Sequence, residues 1–251
     1  MLKFSKATKQ AKLKELETWL GYKPSLYSFS LPSGYTCPFA LDCLSKADRI
    51  TGKITDGKHT LFRCFSASDE ARSPQARTQR WHNFDLLRGL DFEDMVSLLM
   101  DSLPTDLDIC RVHVGGDFFN QKYFEAWLQV ARLNPNKTFY AYTKSIPYWV
   151  NNLFNIPNNF ILNASRGGRM DNLIDDFDLK VAEVVYSIEE AETKNLPIDH
   201  TEEYALKDNG NFALLLHGTQ PKGSKAGESK KLMDKQGVKY SYSRKREALT
   251  V

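Results

Sequence analysis

Short apolar runs alternate with helical periodicities along the second half of the chain, and the alternation begins at Asp91. Asp91 is placed to cap a helix carrying Glu93 and Asp94 in its first turn and Phe92, Met95, Val96 and Leu99 on its apolar face, ending before Pro104. Beyond it, DICRVHV, TFYAYT, NFILNAS, KVAEVVYS and NFALLLHG read as five strands. Between the first two, QKYFEAWLQVARLN places Tyr123, Phe124, Trp127, Val130 and Ala131 at helical spacing. Strands separated by helices predict a parallel sheet with right-handed crossovers, open or curled into part of a barrel. The N-terminal MLKFSKATKQAKLKELETWL predicts an amphipathic helix with Leu13, Leu16, Trp19 and Leu20 on one side. Residues 22 to 85 show no sustained period and read as a long loop region, which needs something to hold it.

The 251 residues, 41% of them hydrophobic, suffice for one substantial core. No run of about eighteen apolar residues occurs, so no membrane span is expected, and a cytoplasmic protein is. The net charge of +3 is uneven: residues 222–251 hold nine Lys/Arg against three Asp/Glu, leaving the remainder net negative. We therefore expect one α/β domain over residues 1–221 and a basic, partly flexible tail over 222–251. Such a tail is either a solvated terminus or, with Tyr240 and Tyr242, a nucleic-acid contact.

Polar residues gather where the predicted strands end, the side on which parallel sheets place their chemistry. The first strand delivers His113, Gly115, Gly116 and Asp117; the second Tyr142, Thr143, Lys144 and Ser145; the third Asn163, Ser165 and Arg166; the last His217. Alternation along the first strand puts Arg111 and His113 on one face and Cys110, Val112 and Val114 on the other. Cys110 thus reads as a small buried hydrophobe. Arg111, if buried, demands an anionic partner. His113 is either a satisfied core histidine or a site residue.

Cys37, Cys43 and Cys64 remain as a set, separated by five and then twenty residues. Four cysteines in a chain of this size do not make a disulfide framework. Zinc favours closely spaced pairs and a fourth ligand, for which His59 or His82 is available. An iron–sulfur cluster accepts wider spacing, and three thiolates on a [4Fe–4S] core leave one iron open to a small ligand.

The stretches TCPFALDC, RVHVGGDFFNQKYFEAW, FYAYTKS and NASRGG resemble the bacteriophage gene product 88 family, over roughly residues 30 to 168. More distantly the chain resembles radical S-adenosylmethionine enzymes, whose partial (β/α) barrel carries three cluster cysteines near its start and a Gly-Gly-Glu-like turn after a strand. That resemblance implies a partial barrel of mainly parallel strands with the cluster held by the long N-terminal loop region. Cys37, Cys43 and Cys64 would ligate the cluster. Gly115, Gly116 and Asp117 would hold the amino group of S-adenosylmethionine, Ser165 its ribose or carboxylate, with Lys144 helping to orient it. The chain departs from the compact Cys-x-x-x-Cys-x-x-Cys loop of those enzymes and has Asp in place of Glu. Two other readings stand beside this one: a zinc-stabilised module that docks nucleic acid, and a carrier of electrons or clusters with no substrate. A phage origin would place the protein in the cytoplasm of the infected host.

Overall fold

The computed structural model describes residues 1–7, 11–207 and 210–238. The chain opens with β1 (Ser5–Lys6), α1 (Ala11–Leu20) and β2 (Leu26–Phe29), followed by the hairpin β3 (Ser45–Ala47) and β4 (Ile54–Asp56). Three helices follow: α2 (Phe65–Arg72), α3 (Pro74–Leu87) and α4 (Phe92–Ser102). Then come β5 (Ile109–Val112), α5 (Gln121–Leu133), β6 (Thr138–Thr143), α6 (Ile146–Val150), β7 (Phe160–Ser165), α7 (Asn172–Asp176) and β8 (Val181–Val185). The described chain ends with α8 (Ile188–Thr193), α9 (Glu203–Leu206), β9 (Phe212–Leu215) and α10 (Lys225–Lys235).

Seven strands form one sheet in the order β1-β2-β5-β6-β7-β8-β9. Every pair from β2 onward is parallel, and β1 lies antiparallel on the edge. The order never reverses, so each crossover steps in the same direction, and among the described residues β9 does not pair back to β1 to close a barrel. The five predicted strands are all present, and β2 is an additional parallel neighbour of β5 that the alternation did not reveal.

The two faces of the sheet divide the core. On one, Cys110, Val112, Phe139, Ala141, Leu162 and Ala164 pack in a single cluster with Met95 and Leu99 of α4 and with Phe124 and Trp127 of α5. The whole predicted stripe of α5 is buried, each large side chain contributing roughly 1.5–3 kcal/mol of burial. On the other face Ile109, Tyr140, Ala182 and Phe212 meet Leu16 of α1 and Ala205 and Leu206 of α9.

Helix starts follow the expected chemistry. The Asp91 carboxylate accepts from the Asp94 N–H at 3.0 Å, Ser73 accepts from Ala76 ahead of Pro74, and Asn120 accepts from Tyr123. The region from 22 to 85 is not a loop: it contains β2, the β3–β4 hairpin, α2 and α3. Helix α3 escapes the sequence pattern because Arg77, Arg80 and Asn83 stand among its buried positions, which removes the apolar period. The segment after residue 221 also contains a helix, α10, which buries Ala226 and Met233 against Val185, Ala213 and Leu215. Tyr240 and Tyr242 lie outside the described residues. Among the described residues no helix is long and apolar enough to cross a membrane.

Candidate metal centre at the strand ends

Past β5 the chain turns through Gly115 and Gly116 into Asp117. Asp117 is buried, and its two carboxylate oxygens bind the end of the neighbouring strand. Oδ1 accepts from Thr143 Oγ1 at 2.6 Å and from the Phe118 N–H at 2.7 Å; Oδ2 accepts from the Lys144 N–H at 2.8 Å. Burial pushes this carboxyl up to about 6 against the pull of those donors. The protein itself supplies the reason for the glycines. A Cβ at Gly115 would collide with Ser66 Oγ, and Gly116, at φ +82°, has room for none beside Thr36 and Leu31.

Lys144 follows β6 and is also buried. Its Nζ donates to the Ser165 carbonyl at 2.9 Å, to Ser165 Oγ at 2.9 Å and to the Arg166 carbonyl at 2.6 Å, so it fastens the end of β7 to that of β6. Ser165 therefore serves the strand junction and caps no helix; Arg166 pairs outward with Asp175.

The cysteine-bearing loop is docked onto the turn after β7 through its backbone. The Asp42 N–H donates to the Gly167 carbonyl at 3.0 Å, the Arg169 N–H to the Phe39 carbonyl at 2.8 Å, and Ala40 bridges Gly168. This holds Cys37 and Cys43 over the ends of β6 and β7. The Asp42 carbonyl accepts from the N–H groups of Leu61 and Phe62, and the Cys64 N–H donates to Ser45 Oγ, so Cys64 arrives at the same place at the head of α2.

All three cysteines are free and half-buried; Cys37 lies in the electrostatic field of Cys64 and Cys43, and Cys64 in that of Cys43. Burial raises Cys37 well above the ordinary thiol value, helped by the charges of Asp117 and Cys64 and opposed by the Gly34 N–H, which points at Cys37 Sγ from 3.3 Å. Burial likewise raises Cys43, while Lys144 pulls it down. Cys64 is pushed up to about 11, by burial and by Cys43, against the N–H groups of Ala67 and Ser66. Asp117 and Lys144, far from the cysteines in sequence, thus share their surroundings. Among the described residues no group of three or more His, Cys, Asp or Glu side chains is arranged to hold a single metal ion.

The remaining candidates separate cleanly. His59 is exposed, and His82 Nε2 lies 2.9 Å from the Met1 carbonyl. Cys110 is fully buried among apolar side chains, as alternation predicted. Arg111 has its anion: Nη1 donates to Glu202 at 2.8 Å, Tyr142 OH donates to the same carboxylate at 3.0 Å, and the guanidinium lies over the Tyr142 ring. His113 departs from the prediction. β5 ends at Val112, and beyond it the imidazole packs with Phe29, Phe118 and Tyr123, on the Val112 side of the sheet. Its Nε2 lies 2.9 Å from Tyr123 OH, and burial lowers its pKa to about 3, so it is a neutral core histidine.

Sequence reading missed Glu70 and Arg80, a fully buried carboxylate and its guanidinium partner beneath the cysteine loop. Each appears in the sequence as one more charge on a polar stretch. At the end of β9, the His217 ring packs on Phe65, the residue after Cys64, at 4.8 Å between centroids.

A family model described as Gene product 88 matches residues 1–235, nearly the whole chain. The chain belongs to the Gene product 88 family. Gene 88 protein of Mycobacterium phage L5 is 30% identical over 128 residues, covering 47% of this chain and 47% of that protein. Gene 88 protein of Mycobacterium phage D29 is 29% identical over 128 residues with the same coverage. The chain thus spans about half the length of the curated Gene 88 relatives it matches. No solved structure matches this Gene product 88 chain.

Proposed function

We propose that this member of the Gene product 88 family is an iron–sulfur protein holding a [4Fe–4S] cluster on Cys37, Cys43 and Cys64. The observation that carries the reading is the convergence of three free thiols from two backbone segments, the Cys37–Cys43 loop and the head of α2, with Cys37 in the field of Cys43 and Cys64 and Cys64 in that of Cys43. Burial disfavours three bare thiolates there, and metal coordination deprotonates thiols outright, so the donor set suits a cationic inorganic core. Lys144 adds a positive charge beside Cys43, and the Gly34 N–H is aimed at Cys37. Both favour the thiolate form that a cluster requires.

When bound, a cluster with three protein ligands supplies one-electron chemistry and an open iron. The parallel strands in chain order would form the arc of a partial barrel around it. S-adenosylmethionine is the small ligand implied at that iron. Of the residues matched to it, Asp117 organises the loop by bonding to the end of β6, while Lys144 and Ser165 hold the junction of β6 and β7 under the cysteines. In a reducing cytoplasm the thiols stay free for metal.

Anaerobic purification followed by metal analysis tests the cluster. A brown protein with roughly four irons per chain is the expected result; a colourless protein with a single zinc would overturn it and favour a zinc-stabilised module. Reduced protein incubated with S-adenosylmethionine separates catalyst from carrier. Formation of 5′-deoxyadenosine identifies a radical enzyme, whereas an iron-replete protein that neither cleaves nor binds the compound is a carrier.

A further inference from the structure

We infer that Glu70 is a positioning residue of the three-cysteine site, fixing the Cys37 loop against the helix that Cys64 heads. This inference rests on the cluster reading above. Glu70 lies on α2, six residues after Cys64, and is fully buried. Its Oε1 accepts three hydrogen bonds: from the Ser33 N–H at 2.9 Å, from Ser33 Oγ at 2.8 Å and from Arg80 Nη1 at 2.9 Å.

The two ends of this network are the two cysteine segments. Ser33 immediately precedes Gly34, whose N–H points at Cys37 Sγ from 3.3 Å. Arg80 Nη1 also donates to the carbonyl of Ser66, two residues after Cys64, at 3.0 Å. One carboxylate oxygen therefore links the N–H pointing at one thiol to the helical turn that begins at another, across 37 residues of sequence. Gly115 seals the arrangement from the sheet side, where a Cβ would meet Ser66 Oγ and the Arg80 guanidinium.

A buried ion pair is a poor device for stability alone, because apolar side chains of similar volume do as well or better. It is a good device for orientation, because each of its hydrogen bonds demands a direction. Here the demand falls on Ser33, which begins the Cys37 turn. The second oxygen, Oε2, is buried and has no hydrogen-bond partner among the described residues, and the carboxylate lies within electrostatic reach of Cys64. Negative charge near a cluster disfavours its reduction and lowers its potential.

Four proteins purified anaerobically test the inference: wild type, Glu70→Gln, Glu70→Ala and Asp69→Asn. Asp69 is the more exposed partner of Arg80 and has no bond to Ser33, so its variant should match wild type in iron content and reduction potential. Glu70→Gln keeps an acceptor for Ser33 and removes the charge; it should retain iron with a more positive potential. Glu70→Ala should lose most of its iron while its circular dichroism stays that of wild type. Wild-type iron and potential in both Glu70 variants would overturn the inference. So would a Glu70→Ala protein that unfolds beside a Glu70→Gln protein with the wild-type potential, since Glu70 would then serve only stability. An iron-free wild type would overturn the cluster reading and this inference with it, and is told apart by the wild-type measurement alone.

Discussion

Lys144 Nζ donates to Ser165 Oγ at 2.9 Å and joins the ends of two adjacent parallel strands directly beneath the cysteine loop. Sequence places these residues twenty-one positions apart; register brings them together, because Thr143 pairs with Ala164.

Lys144→Met should therefore loosen the turn that receives the cysteine loop. It leaves the Ser165 and Arg166 carbonyls without their donor and should cost roughly 1–3 kcal/mol in denaturant unfolding. Lys144→Arg should rescue poorly, since a planar guanidinium does not reproduce three bonds from one ammonium.

Glu202→Ala should be far more damaging than its surface-like sequence context suggests. It strips the carboxylate from a buried guanidinium, at a cost of about 3–5 kcal/mol. Replacing both partners together, Arg111→Met with Glu202→Leu, should recover most of the loss. A double-mutant cycle of unfolding free energies checks the coupling.

Acid stability of the metal-free protein should carry two opposed slopes. His113, lowered to about 3 when folded, supports the fold above its ordinary 6.5 and withdraws that support as pH falls toward 3. Asp117, raised to about 6 from its ordinary 3.8, acts in the other sense: its contribution is full below 3.8 and is lost as pH rises to about 6. Between those values the two should nearly cancel. Asp117→Asn should expose the histidine slope, with stability falling steadily on acidification below 6.5, and His113→Gln should show stability rising as pH drops from 6 to 4. Denaturant titrations across that range decide it.

The cysteines should divide three to one. Cys37→Ala, Cys43→Ala and Cys64→Ala should each abolish metal binding. Cys110→Ala should leave the metal in place and cost about 1 kcal/mol of packing. Metal content and unfolding midpoints of the four variants test the division; metal loss on replacing Cys110 would mean the site reaches through the sheet.

The strands from β5 to β9 and the helix α5 were legible because buried parallel strands and a helix with one buried face write apolar runs and a 3.6-residue period directly into the chain. The pairing of Arg111 with some anion was legible too, from alternation and the cost of a buried charge, although its partner, 91 residues away, was not. The second half of the fold was thus determined by the sequence itself, as was the grouping of Cys37, Cys43 and Cys64 apart from Cys110. Tertiary structure alone decided the rest. Helices α2 and α3 carry Glu70, Arg77 and Arg80 among their buried positions, where Arg80 pairs with Glu70 and Arg77 donates to backbone carbonyls, and such buried polar positions leave no apolar period to read. His113 changed sides because alternation binds only residues inside the strand, and β5 stops one residue short of it. The meeting of the cysteine loop with Asp117, Lys144 and Glu70 was set by strand register and long-range hydrogen bonds, which join residues that the chain keeps far apart.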